Sequence, residues 1–102
     1  MNPRQLQQMA QQMQKQMAKI QEELAQTNIE GSAGGGAIVV TMNGQREIQG
    51  ITLSKEVVDP DDVEMLQDLL LAAINDATKK AQDLAEQRMG PLMQGMKMPG
   101  LF

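Results

Sequence analysis

From Pro3 to about Ala25 the apolar positions are Leu6, Met9, Met13, Met17, Ile20 and Leu24, three or four residues apart throughout. That spacing predicts an amphipathic helix of about six turns, with Asn2 as N-cap and Pro3 at the first helical position. Many of its other positions are glutamine, a good helix former without charge. At about 100° per residue, Arg4, Lys15 and Lys19 gather opposite the apolar stripe, among Gln8, Gln11 and Gln26. One face is suited to a partner helix; the other offers cations and amides.

The pattern then changes period. Thr27 to Ser32 reads as a first strand, and Ala37 to Met42 alternates Ile38, Val40 and Met42 against Val39 and Thr41. Asn43-Gly44 predicts a type I′ hairpin, and Gln45 to Leu53 returns as a third strand. Ile48 falls out of step with Ile51 and Leu53, and Gly50 between them marks a bulge. Lys55 to Val58 reads as one helical turn.

In the segment DPDDVEM, Asp59 is the expected N-cap and Pro60 the first helical residue, with Asp61, Asp62 and Glu64 favoured by the helix dipole. The helix that follows carries Val63, Leu66, Leu70, Ala73, Ala77, Ala81 and Leu84 on one stripe, flanked by Met65, Leu69, Leu71 and Ile74. Its first half is apolar over more than half its circumference, so it is expected to meet both the sheet and a second subunit. Gly90-Pro91 is expected to end it near Met89. Residues 1–89 then form a single domain, and residues 90–102 a disordered Met/Gly/Pro tail.

Composition narrows the chemistry. The 102 residues include no Cys, His, Trp or Tyr, and Phe102 is the single aromatic. No thiolate, imidazole, or nucleophile paired with histidine is available, and Ser54 has no base to activate it. No catalytic, cofactor-binding or metal residue is therefore assigned, and no cofactor or small-molecule substrate is expected. No disulfide can form, which fits a reducing cytoplasm. The longest apolar run, Leu69 to Ile74, is too short to span a bilayer, so no membrane association is expected. A core this small favours association of copies.

Two motifs invite sharper readings. The run Gly31, Gly34, Gly35 and Gly36 leads into a strand instead of a helix, and neither GxGxxG nor GK[ST] occurs. A glycine-rich turn between strands accounts for it better than a phosphate loop. The acids Asp59, Asp61, Asp62 and Glu64 lack EF-hand spacing and sit where a helix start favours carboxylates.

Charge is uneven although the net is −4. Residues 1–21 hold Arg4, Lys15 and Lys19 with no acid, whereas residues 59–76 hold six acids and no base. If the two long helices lie antiparallel, Lys79, Lys80 and Arg88 come near the first helix's cations and form a cationic arm. Arg88 is its weakest member, since it falls near the apolar stripe by helical angle. The same six residues also read as ordinary solvated charges on two long helices.

The opening helix MAQQMQKQMAKIQEELA, the segment IEGSAGGGAIVVTMNGQREI, the helix DPDDVEMLQDLLLAAINDATKKAQ and the ending MPGLF together resemble the YbaB/EbfC family of nucleoid-associated DNA-binding proteins. The resemblance covers essentially the whole chain. It implies an α+β fold: an α-β-β-β-α subunit whose long helices flank a three-stranded antiparallel sheet, paired as a tweezer-like homodimer. It further implies non-enzymatic binding of double-stranded DNA in the cytoplasm and nucleoid, with a role in nucleoid organisation and gene expression. On that pattern Arg4, Lys15, Lys19, Lys79 and Lys80 are the candidate DNA contacts. Gln8, Gln11 and Gln12 are available as hydrogen-bond donors. Without aromatic side chains to stack bases, single-strand modes are disfavoured. The rival reading is a dimeric protein-interaction scaffold built on the Met- and Gln-rich helices.

Overall fold

The computed structural model describes residues 2–96, with side-chain surroundings through Leu92. The chain runs α1 (Pro3–Gln26), β1 (Asn28–Ala33), β2 (Ile38–Asn43), β3 (Ile48–Leu53), a short 3₁₀ turn (Lys55–Val57) and α2 (Val63–Met96). The strands form one antiparallel sheet in the order β1-β2-β3. Helix, meander and helix follow the order that the hydrophobic pattern predicts, and the molecule is elongated, 69 × 28 × 16 Å.

Asn2 caps α1 as expected, its side chain accepting from the Gln5 N–H at 2.9 Å, and Pro3 opens the helix. The start of α2 differs. Asp59 accepts the Asp61 N–H at 2.9 Å in a tight turn over Pro60, and Asp62 takes the capping role by accepting from Met65 at 3.2 Å. The local bond to Asp61 occupies the Asp59 carboxylate before the helix begins.

The expected stop at Gly90-Pro91 also fails. Helix α2 continues through Pro91 to Met96. Proline disfavours helical geometry in the residue before it by clashing with that residue's N–H and Cβ, and Gly90 has no Cβ. Residues 97–102 of the expected tail lie outside the described residues.

The core lies between α2 and the β1–β2 half of the sheet. Ile38, Val40 and Met42 of β2 point at α2 and are buried with Ala73, Ala77 and Ala81. Alanines at this spacing make a flat, narrow helix face, and Gly31 of β1 lies directly against it. A Cβ on Gly31 would stand 2.5 Å from the Ala73 carbonyl oxygen and 2.6 Å from the Ala77 Cβ, and would also strike the Ala77 nitrogen. Gly34, Gly35 and Gly36 all have positive φ and turn the chain from β1 into β2, the structural role read from the sequence.

The β2–β3 connection is not the expected type I′ turn. Neither Asn43 nor Gly44 has positive φ. The loop closes through the Arg46 N–H to the Asn43 carbonyl at 3.0 Å, and Arg46 itself adopts φ 67. This is the three-residue hairpin in which a left-handed residue follows a tight turn. Gly44 is small for another reason. Its N–H donates to the Leu24 carbonyl at 2.7 Å, and a Cβ there would lie 2.7 Å from that oxygen. Strand β3 consequently begins at Ile48 instead of Gln45. The bulge is present: Thr41 pairs with Gly50 and Met42 with Ile48, which leaves Gln49 as the extra residue.

Gly31→Ala is expected to cost about 1–3 kcal/mol, because backbone faces backbone and neither side chain can yield. Gly35→Ala, in open space, pays only for its left-handed φ, about 1–2 kcal/mol. Urea unfolding of the two variants checks both magnitudes, and a clear loss of packing cooperativity is expected only at Gly31.

Candidate nucleic-acid interface

The helices are long enough to leave the sheet behind. Near its carboxyl end α1 lies antiparallel to the carboxyl third of α2. Glu23 pairs with Arg88 at 3.3 Å, while Gln16, Lys19 and Ile20 face Pro91 and Leu92 across a groove of about 410 Å³. The amino-terminal half of α1 continues outward, with Leu6 and Met9 each 53% exposed. The apolar stripe thus extends beyond any packing partner within the described residues.

The five candidate residues are all exposed but occupy different places. Arg4 and Lys15 stand on the projecting part of α1, and Lys19 is at the rim of the inter-helix groove. Lys79 and Lys80 are on α2 beside the sheet, about 12 Å down the helix from Arg88. The antiparallel arrangement holds, but it does not bring Lys79 and Lys80 beside Lys15 and Lys19. Pairing occurs near Arg88, and the projecting part of α1 outruns the cationic part of α2.

Two of the six cations have work within the chain. Lys80 bridges Asp76 at 3.2 Å and donates to the Glu30 carbonyl at 3.3 Å, while Asp76 accepts the Ser32 N–H at 3.0 Å. Glu30 and Ser32 belong to β1, an edge strand, and these are its outward-facing backbone groups. Asp76 and Lys80 therefore cover the open edge that β1 would otherwise offer to another strand. Arg88 is held by Glu23. Among the described residues, Arg4, Lys15, Lys19 and Lys79 enter no ion pair.

A second junction escaped the sequence pattern. Asn43 is buried, and its amide donates to the Ala25 carbonyl at 3.2 Å and to Glu47 at 2.9 Å, while its oxygen accepts from the Gln45 and Glu47 N–H groups at 3.0 Å each. Gln45 adds a bond to the Gln21 carbonyl at 2.9 Å. These contacts root α1 on the hairpin and set the direction of its projecting half. The Asn-Gly pair was the visible signal, but it pointed to a turn type and not to a helix anchor.

The signature of the YbaB/EbfC DNA-binding family matches residues 1–96. The chain belongs to this family. Relatives named nucleoid-associated protein include one from Chloroflexus aurantiacus, 74% identical over the full length of both chains. Another, from Roseiflexus sp., is 70% identical over 98% of this chain and 99% of its own. One from Pelotomaculum thermopropionicum is 53% identical over 90% of this chain and 88% of its own. The crystal structure of an uncharacterized protein from Helicobacter pylori shares the fold with a TM-score of 0.83, covering 91% of this chain and 98% of that one at 24% identity. YbaB/EbfC is a DNA-binding family and not a class of enzymes. Among the described residues no helix is long and apolar enough to cross a membrane, and no group of three or more acidic residues is placed to hold a metal ion.

The Ser32 N–H, followed by the Lys80 ammonium, holds the Asp76 carboxyl below the usual carboxylate range. A depressed folded pKa stabilises the protein above the unfolded value, and that contribution disappears as pH falls through the folded one. Asp76→Asn is accordingly expected to lower the melting temperature at neutral pH. The gap from the parent should close as the pH drops below the ordinary carboxylate pKa, which thermal melts across the acid range would reveal.

Proposed function

We propose that this protein binds double-stranded DNA as a homodimer, without catalysis, and acts in the nucleoid to organise DNA and regulate expression. The observation that carries this reading is the acid-free, projecting half of α1. It presents Arg4 and Lys15 among glutamines, with Lys19 where α1 meets α2, in a chain of a DNA-binding family. The cations neutralise phosphates, and the glutamine amides donate to backbone oxygens or base edges. Lys79 adds a contact from α2, whereas Lys80 contributes more weakly because Asp76 and Glu30 already hold it.

The dimer has a natural surface. By register, Ile48, Ile51 and Leu53 of β3 lie on the same side as Met42, Val40 and Ile38, yet α2 covers only β1 and β2. Ile48 and Ile51 are each 47% exposed and Leu53 39%, on a strand with every residue exposed. A second copy seated there buries this apolar row. The projecting Leu6 and Met9 keep the protein-scaffold reading as the alternative, since an uncovered stripe also suits a partner helix.

Binding to a mixed-sequence duplex is expected to weaken steeply with salt, and reversing Lys15, Lys19 and Lys79 to Glu together should cost at least about tenfold in affinity at low salt. Fluorescence anisotropy titrations at two salt concentrations test this. Salt-independent binding, or unchanged affinity in the triple variant, favours the scaffold. Sedimentation should give a dimer mass for the parent chain, and Ile51→Asp with Leu53→Asp should give a folded monomer; a monomeric parent would refute the dimer.

A further inference from the structure

We infer that Arg46, at the tip of the β2–β3 hairpin, is a further phosphate contact at the root of the helical arm. The inference rests on the DNA-binding reading above and extends it from the helices to the loop between them. Three observations converge on it.

The first is conformational. Arg46 has φ 67 and is the single non-glycine residue with positive φ among the described residues. In this type of hairpin the left-handed position is ordinarily glycine's, because any Cβ there is strained. Within the described residues the Arg46 side chain makes no hydrogen bond or ion pair; only its backbone N–H is used, donating to Asn43. Its neighbour Glu47 is engaged by the Asn43 amide at 2.9 Å. The fold thus bears the strain of a side chain from which it draws no hydrogen bond or ion pair, a pattern that points to a ligand outside the chain.

The second is position. Gly44 is pressed against Leu24, and Gln45 bonds Gln21 one turn further up α1, so the hairpin tip is wedged where the two helices leave the sheet. Arg46 lines a cleft of about 550 Å³ together with Gln21, Gln45, Gln82, Glu86 and Met89.

The third is chemistry. A guanidinium offers paired donors that match phosphate oxygens, and the cleft's glutamine amides add neutral donors. Glu86 repels an anion on its own side of the cleft, which favours a phosphate held on the side of Arg46. Neighbouring Glu47 reduces the local positive charge, so one phosphate per chain is the expected number.

Arg46→Gly separates this role from a structural one, because glycine relieves the left-handed strain. Wild type, Arg46→Gly and Arg46→Lys are titrated against a mixed-sequence duplex by fluorescence anisotropy over a salt series, and each is melted thermally. In Arg46→Gly the affinity is expected to fall about three- to tenfold at low salt. The plot of log affinity against log salt should become shallower by about one per chain, with a melting temperature no lower than the parent's. Arg46→Lys should keep the parent slope. If Arg46→Gly matches the parent in affinity and slope, or loses affinity only together with its melting temperature, the inference is overturned while the helical contacts stand. A parent chain that fails to bind duplex overturns both readings.

Discussion

The close approach of α2 to β1 governs the rest of the structure. Gly31 against Ala73 and Ala77 lets helix and strand backbones come nearly into contact, and only side chains of zero or one carbon permit it. That approach draws α2 over β1 and β2 and away from β3. One half of the sheet is therefore sealed and the other left with an apolar row facing outward. The same approach places Asp76 and Lys80 over the edge of β1, where they satisfy groups that would otherwise recruit a strand. A closed side and an open side are both consequences of one tight packing contact.

The second helix anchor is polar where the first is apolar. Asn43 and Gly44 tie the end of α1 to the hairpin through hydrogen bonds that leave no buried side-chain polar atom unpaired among the described residues. Because α1 is held near its carboxyl end, by these bonds, by Leu24 and by Glu23, its amino-terminal half projects as a lever with cations along it. An isolated helical segment of about a dozen residues is marginal on its own. Continuity with the anchored half and the Asn2-Pro3 start are what sustain it here.

Helical and strand periodicities were legible because each reports a local geometry. The alternation through β2 and the alanine stripe of α2 reappear as packing faces, whereas the α1 stripe packs only toward its carboxyl end, at Leu24, and stays exposed at Leu6 and Met9. Local pattern misleads where a residue's role depends on something distant in sequence. Asn43-Gly44 carries a local signal for a type I′ turn, but contact with Leu24 and Ala25 redirects both residues to another task. Gly90-Pro91 carries a local signal to stop, which the missing Cβ of glycine weakens enough for the helix to pass. The Asp76–Lys80 ion pair and its bonds to β1 required the fold, since the sequence marks Lys80 only as a cation on α2. The candidate cations were legible as a set on each helix, but their separation was not, because it depends on how far α1 outruns α2.

By itself, the sequence determined which elements form, their order, the absence of thiol and imidazole chemistry, and the family to which the chain belongs. These follow from residue type and short-range spacing. The tertiary structure decided which cations are already held, which half of the sheet is bare, and that the hairpin tip carries an arginine in a left-handed conformation at the root of the helices. Those properties arise from contacts between residues tens of positions apart, where steric fit and hydrogen-bond geometry, not local preference, select the outcome.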